Sequence, residues 1–146
     1  MSKQTDTALA TFTGGYNCAQ AAVSAFCAEH GLDEDLAMRL ACGFGGGMGR
    51  KQEVCGAVSG AILALGLVHG RGKGGDKAMT QATYDKVYAL MSAFEARHGS
   101  CLCRELLQGC DVTTPEGTRQ VKERGLRDSV CMACVRSAVE IAADLI

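Results

Sequence analysis

The stretch EVCGAVSGAILALGLVHG, residues 53–70, decides the fold class. It is apolar almost all round, and a helix of that kind is buried inside a protein. It is short and glycine-rich for a transmembrane span, which needs about 20 apolar residues. Neither this stretch nor any other shows sustained alternation of β-branched and polar residues, the mark of a strand. The sequence therefore predicts a buried central helix in an all-α compact bundle of five to seven helices. Gly56 and Gly60 stand four residues apart on that helix, a spacing that lets a neighbouring helix approach closely.

The flanking segments read as the rest of the bundle. NCAQAAVSAFCAEHG opens on the cap Asn17 and stops at Gly31. DEDLAMRLACGF places Leu36, Leu40 and Phe44 at helical spacing. DKAMTQATYDKVYALMSAFEARHG is a long amphipathic helix with Val87, Leu90, Met91 and Phe94 on one stripe. SCLCRELLQG is a short helix capped by Ser100. TTPEGTRQVKERG carries Pro115 in a first-turn position and reads as a weak surface helix. RDSVCMACVRSAVEIAADLI closes the chain with Val135, Ala138, Val139 and Ala142 facing inward. No linker, low-complexity segment or internal repeat divides residues 1–146, so they are expected to form a single domain.

With 146 residues, such a domain buries roughly 70% of its unfolded surface and needs no disulfide staples. Its net charge is −1, with acids and bases mixed throughout, which argues against a nucleic-acid partner. The opening MSKQTDTALATF lacks an apolar signal-peptide core. The expected location is therefore cytoplasmic, with no membrane partner, where thiols are mostly kept reduced. Nine cysteines are many for this length, and an odd number cannot all pair within one chain. Cysteines in that setting bind metal, do redox chemistry, or fill space.

Glycines crowd the stretch ACGFGGGMGR, residues 41–50. A dinucleotide fingerprint needs a strand before its glycines, and here a helix precedes them. A phosphate-binding Walker loop needs Gly-Lys-Ser/Thr, which Gly49-Arg50-Lys51-Gln52 does not supply. The bland reading is a flexible turn. The sharper one is an electropositive nest, built from the N–H groups of Gly45, Gly46 and Gly47 with Arg50 and Lys51, beside Cys55. Such a nest would favour a thiolate or an anionic cofactor.

Position along the helices sorts the cysteines. Cys18 follows its cap, Cys55 lies in or near the first turn of the central helix, Cys103 follows Ser100 by three, and Cys131 follows Ser129 by two. All four are expected at helix N-termini, where free N–H groups and the dipole lower a thiol pKa. Cys27, Cys42 and Cys110 come late in their helices and read as small buried hydrophobes. Cys131 and Cys134 form a C-x-x-C, close enough for a catalytic redox pair or for joint chelation. Cys101 and Cys103 form a C-x-C. His30, His69 and His98 each precede glycine at a helix C-terminus, a structural place for histidine.

The chain resembles the C-GCAxxG-C-C family, whose members are assigned a redox role. The resemblance rests on YNCAQA (16–21), ACGFGGGMGR (41–50), VCGAVSGAILALGL (54–67), CLCRELL (101–107) and VCMACVRSAVEIAADL (130–145), in the family's order. The four cysteines of the family's name fall on Cys18, Cys55, Cys103 and Cys131. Val54 stands where the named motif has glycine, and Cys134 has no counterpart in it.

These readings converge on an electron carrier or oxidoreductase whose four cysteines meet in one site. Four thiolates could hold an iron–sulfur cluster. Without metal, the same residues could cycle between dithiol and disulfide, with Cys131 and Cys134 as a resolving pair. Two other classes compete. One is a structural zinc protein closed by the four cysteines; the other is a helical interaction module without chemistry. The expected partners are a redox protein and a second copy of the chain, forming a homodimer.

Overall fold

The computed structural model describes residues 2–146, and they form an all-helical bundle without a named strand. In chain order the helices are α1 (Lys3–Thr13), α2 (Cys18–Ser24), α3 (Glu34–Ala41), the single turn α4 (Gly45–Met48), α5 (Gly56–His69), α6 (Lys77–His98), the single turn α7 (Cys103–Leu106), α8 (Pro115–Glu123) and α9 (Met132–Leu145). Seven of these have seven residues or more, which meets the expected five to seven; α4 and α7 are added turns. No helix among the described residues is long and apolar enough to cross a membrane.

The central helix is α5. It packs against α2, α6 and α9, and its Ala57, Val58, Ala61, Ala64 and Leu65 are buried. From α9 come Val135, Ala138, Val139 and Ala142, all buried as their spacing predicts. Leu90 and Phe94 of α6 complete the wall, with Val87 and Met91 half-buried beside them. Few core side chains are large. Phe12, Phe26 and Phe94 are fully buried, each contributing roughly 1.5–3 kcal/mol by leaving water.

The alanine-rich core follows from close backbones. A side-chain carbon at Gly60 would overlap the Ala19 carbonyl oxygen and stand 2.8 Å from the Ala22 Cβ. The i, i+4 glycines of α5 therefore receive α2, as expected.

Three helices differ from their predicted form. The helix from Asn17 ends at Ser24 rather than Gly31, because the chain tightens there: Phe26 N–H reaches Val23 and Cys27 N–H reaches Ser24, while a short 3-10 turn spans Ala28–His30. In α3 the inward residues are Ala37 and Ala41, whereas Leu36 and Leu40 are exposed. Small side chains face α2 because the two helices sit close. Ser100 does not cap α7: its hydroxyl accepts from Leu102 N–H, Leu102 takes the cap position, and Cys103 opens the helix.

Candidate functional site

Four separate segments bring cysteines to one end of α5. Cys18 is the first residue of α2, fixed by a reciprocal cap in which Asn17 accepts from Gln20 N–H and Gln20 accepts from Asn17 N–H. The amide nitrogen of Asn17 also donates to the Cys42 carbonyl at 2.9 Å, tying the glycine loop to α2. Cys55 occupies the N-cap position of α5. Its N–H donates to the Cys101 carbonyl at 2.7 Å, and Cys103 N–H donates to the Glu53 carbonyl at 2.7 Å, around an antiparallel bridge between Val54 and Leu102. This bridge sets Cys55 opposite Cys101 and Cys103 opposite Glu53, and so ties the two segments together at the head of α5. Cys131 ends a π-helical turn, Arg127–Cys131, which runs directly into α9, and Cys134 follows one turn later.

Cys18, Cys55, Cys103, Cys131 and Cys134 line a single cavity of about 670 Å³. The four cysteines singled out by sequence all line it, and Cys134 joins them. Cys18 and Cys131 are partly accessible; Cys55, Cys103 and Cys134 are buried. Cys101 points elsewhere, its thiol turned to the Met91 carbonyl, so Cys103 is the member of the C-x-C that reaches the site. Cys27 and Cys110 are buried as predicted, but Cys42 is exposed and lines the cavity. It leaves the core because α3 gives way at Ala41 to a tighter turn, Cys42–Phe44.

The glycine loop is wound left-handed. Gly46, Gly47, Met48, Gly49 and Arg50 all have φ between 59° and 69°. At Gly47 a Cβ would stand 2.7 Å from the Cys103 Cβ, so only glycine fits there. Met48 and Arg50 carry side chains in this conformation, at a cost of about 1–3 kcal/mol each. Hydrogen bonds hold them: Gln52 N–H reaches Gly46 and Glu53 N–H reaches Gly47. Gln52, itself at φ 56°, is pinned by its side chain, which donates to the Cys110 carbonyl at 2.7 Å and accepts from Val112 N–H.

It is Cys18, not Cys55, that receives a backbone N–H from the loop, at Gly46. Gly45, Gly46 and Arg50 line the cavity, while Lys51 faces an adjoining groove.

The expected lowering of thiol pKa values does not occur. Hydrogen bonding to the Cys55 thiol, then burial, pushes Cys18 well above the ordinary thiol range, against smaller opposing pulls from Gly46 and Ala19 N–H. Hydrogen bonding to Cys134 raises Cys55, only partly offset by Cys18. Burial pushes Cys103 up to about 11 and Cys131 to about 12. Arg127 pulls Cys131 down without reversing this. Burial among other sulfurs outweighs the helix termini because each neighbouring thiolate repels the next. Cys131 also lies beyond the first turn of its helical run, which begins at Arg127.

These contacts order the thiols as a row, Cys18 to Cys55 to Cys134. Cys131 and Cys103 lie alongside and feel the charge of Cys18. Among the described residues, no three His, Cys, Asp or Glu side chains come close enough to share one metal ion. The histidines stay at helix ends: His69 bonds the Leu145 carbonyl and His98 the Ser137 hydroxyl.

Sequence reasoning missed the contact of Cys134 with Cys55, the exposure of Cys42, and Arg127. The Arg127 guanidinium stacks 3.9 Å over the Phe12 ring and donates to the Phe12 and Tyr16 carbonyls. A basic residue at the start of a helix, where the dipole disfavours it, was the available signal.

A sequence model described as "Putative redox-active protein (C_GCAxxG_C_C)" matches residues 16–145. No curated protein and no solved structure matches the chain. The matched span takes in the six cavity cysteines and the left-handed loop, so the chain belongs to the C_GCAxxG_C_C family.

Proposed function

We propose that the protein is a thiol–disulfide redox protein whose working pair is Cys18 and Cys55, with Cys134 as the proton partner of Cys55. The observation that carries this reading is that Cys18, Cys55 and Cys134 line one cavity, with Cys55 perturbed by the thiols of both the others. The Cys18 and Cys55 thiols each perturb the other, as neighbours poised to bond would. Cys18 is the partly accessible member and takes the external disulfide; Cys55, buried behind it, resolves the mixed disulfide.

The raised pKa values bear on direction. A couple is strongly oxidising when its reduced form is stabilised as thiolate. Here thiolates are disfavoured by burial and by neighbouring sulfur. The reduced state gains nothing from ionisation, so the couple is expected on the reducing side.

The test is oxidation of the reduced protein followed by free-thiol titration and peptide mapping. The expected result is loss of two thiols per chain and a Cys18–Cys55 cross-link, absent in Cys18→Ser and Cys55→Ser. Oxidation that leaves all nine thiols free, or joins a different pair, overturns the assignment.

A second reading keeps the iron–sulfur cluster, on the observation that Cys18, Cys55, Cys103 and Cys131 share one cavity. The donor type suits a cluster, but the sulfurs do not gather around one point; they would have to rearrange to bind. Iron and acid-labile sulfide in protein purified without oxygen would favour this reading.

A further inference from the structure

Dithiol exchange uses the sulfurs of the cavity but neither its walls nor its charge. Leu106, Val112, Val121 and Val130 give it apolar walls. Two guanidinium groups line it, Arg50 and Arg127, and no Asp or Glu among the described residues does. Its volume of about 670 Å³ falls in the range of small-molecule sites, roughly 300–1,000 Å³.

The two arginines are not equivalent. Arg127 is committed to the Phe12 ring and to two carbonyls. Arg50 enters none of the ion pairs among the described residues. Its stem crosses Gly46, where an added Cβ would stand 2.9 Å from the Arg50 Cγ. Gly46 is also the residue whose N–H meets Cys18. The strained turn thus places a free cation on the same short loop that touches the reactive sulfur.

We propose that the cavity binds a low-molecular-weight disulfide bearing a carboxylate, with Arg50 anchoring the carboxylate and the apolar walls holding the carbon chain. This rests on the dithiol reading. Cys18, as thiolate after losing its proton to solvent, attacks one sulfur of R–S–S–R. The external S–S bond breaks, a Cys18–S–S–R bond forms, and R–S⁻ leaves and takes up a proton. Cys55 loses its proton and attacks the Cys18 sulfur; the Cys18–S–S–R bond breaks, a Cys18–Cys55 disulfide forms, and the second R–S⁻ leaves and takes up a proton. Two protein thiols are oxidised and one disulfide is reduced to two R–SH.

The test uses reduced full-length protein and three disulfides of similar size: 3,3′-dithiodipropionate (anionic), bis(2-hydroxyethyl) disulfide (neutral) and cystamine (cationic). Thiol loss should be about tenfold faster with the anionic reagent than with the neutral one, and slowest with the cation. Arg50→Gln should lower the anionic-to-neutral rate ratio by about tenfold. Arg50→Gly, which suits the left-handed backbone, should do the same and guards against misfolding. Equal rates with the three reagents, or an unchanged ratio in both variants, overturns the proposal.

A second measurement separates it from the dithiol reading. The thioether 3,3′-thiodipropionate cannot exchange, and its binding is followed by calorimetry. Saturable binding that weakens about tenfold in both Arg50 variants supports the anchor, even if no disulfide oxidises the protein and the dithiol reading fails. No binding to wild type overturns the anchor, even if disulfides do oxidise the protein.

Discussion

The sulfur of Cys18 rests directly on Gly56, in the space that any side chain at position 56 would need. The first turn of α2 and the first turn of α5 are thereby locked together through a sulfur and a missing Cβ. Gly56→Ala must push that sulfur aside. The expected cost is about 1–3 kcal/mol, read by urea unfolding, together with faster alkylation of the displaced Cys18. Unchanged stability and alkylation would mean that the two turns are not in register as described.

Gly60 and Gly66 lie on the same helix with opposite expectations. Gly60→Ala meets the backbone of α2 at Ala19 and should destabilise by about 1–3 kcal/mol. Gly66→Ala meets nothing within 4 Å and should stabilise by about 0.5–1 kcal/mol through helix propensity. Thermal melts of the two variants check the pair.

Alkaline pH should weaken the fold. Cys103 and Cys131 have pKa values of about 11 and about 12 in the folded chain, against 9.0 for the unperturbed thiol. The folded state then holds more protons than the unfolded one above pH 9. Their contribution is fully present below that pH and is lost as pH rises through 11 and 12. Urea midpoints at pH 7, 9 and 10.5 should fall at the last step, and the alkylation rate of Cys131 should keep rising beyond pH 9 without a plateau.

Arg127→Lys should loosen the start of the helical run that ends in α9. Lysine keeps the charge but cannot stack as a planar fork on Phe12 while serving two carbonyls. A loss of about 1–2 kcal/mol is expected. Arg127→Ala also removes the one charge that lowers Cys131, so iodoacetamide should label Cys131 more slowly at pH 8. Faster labelling would show that packing, not charge, governs that thiol.

Gln52→Ala would strand the Cys110 carbonyl and the Val112 N–H, both now satisfied by one buried side chain. The expected loss is about 1–3 kcal/mol. Gln52→Gly relieves the backbone at φ 56° but strands the same groups, so it should recover part of that loss. The difference between the two unfolding free energies measures the strain.

The helical class was legible because α5 is apolar all round and α9 carries its inward residues at clean spacing. The cap at Asn17 and the proline opening of α8 were legible because their chemistry is local. What escaped was set by packing between segments. Leu36 and Leu40 fit an apolar stripe, yet the helix turns its alanines inward because α2 lies too close for leucine. Four of the cavity cysteines were legible as a set, but their ionisation was not. Whether an N-terminus lowers a thiol pKa depends on which sulfurs sit beside it, and Cys55 lies between two others. The pairing of Cys134 with Cys55 joins residues far apart in sequence, beyond the reach of any local spacing rule.

The Val54–Leu102 bridge has a further consequence in time. Its partners are separated by the whole of α5 and α6, and the cavity also needs Cys18 from near one end of the chain and Cys131 from near the other. Contacts of such sequence separation form late, after most of the entropy of loop closure has been overcome. A half-folded chain therefore carries nine ordinary thiols and no assembled row. The suppressed ionisation of Cys131, which needs its burial beside Cys18 and Cys103, is a reporter of completed folding, and its appearance during refolding marks the moment at which the last helix docks.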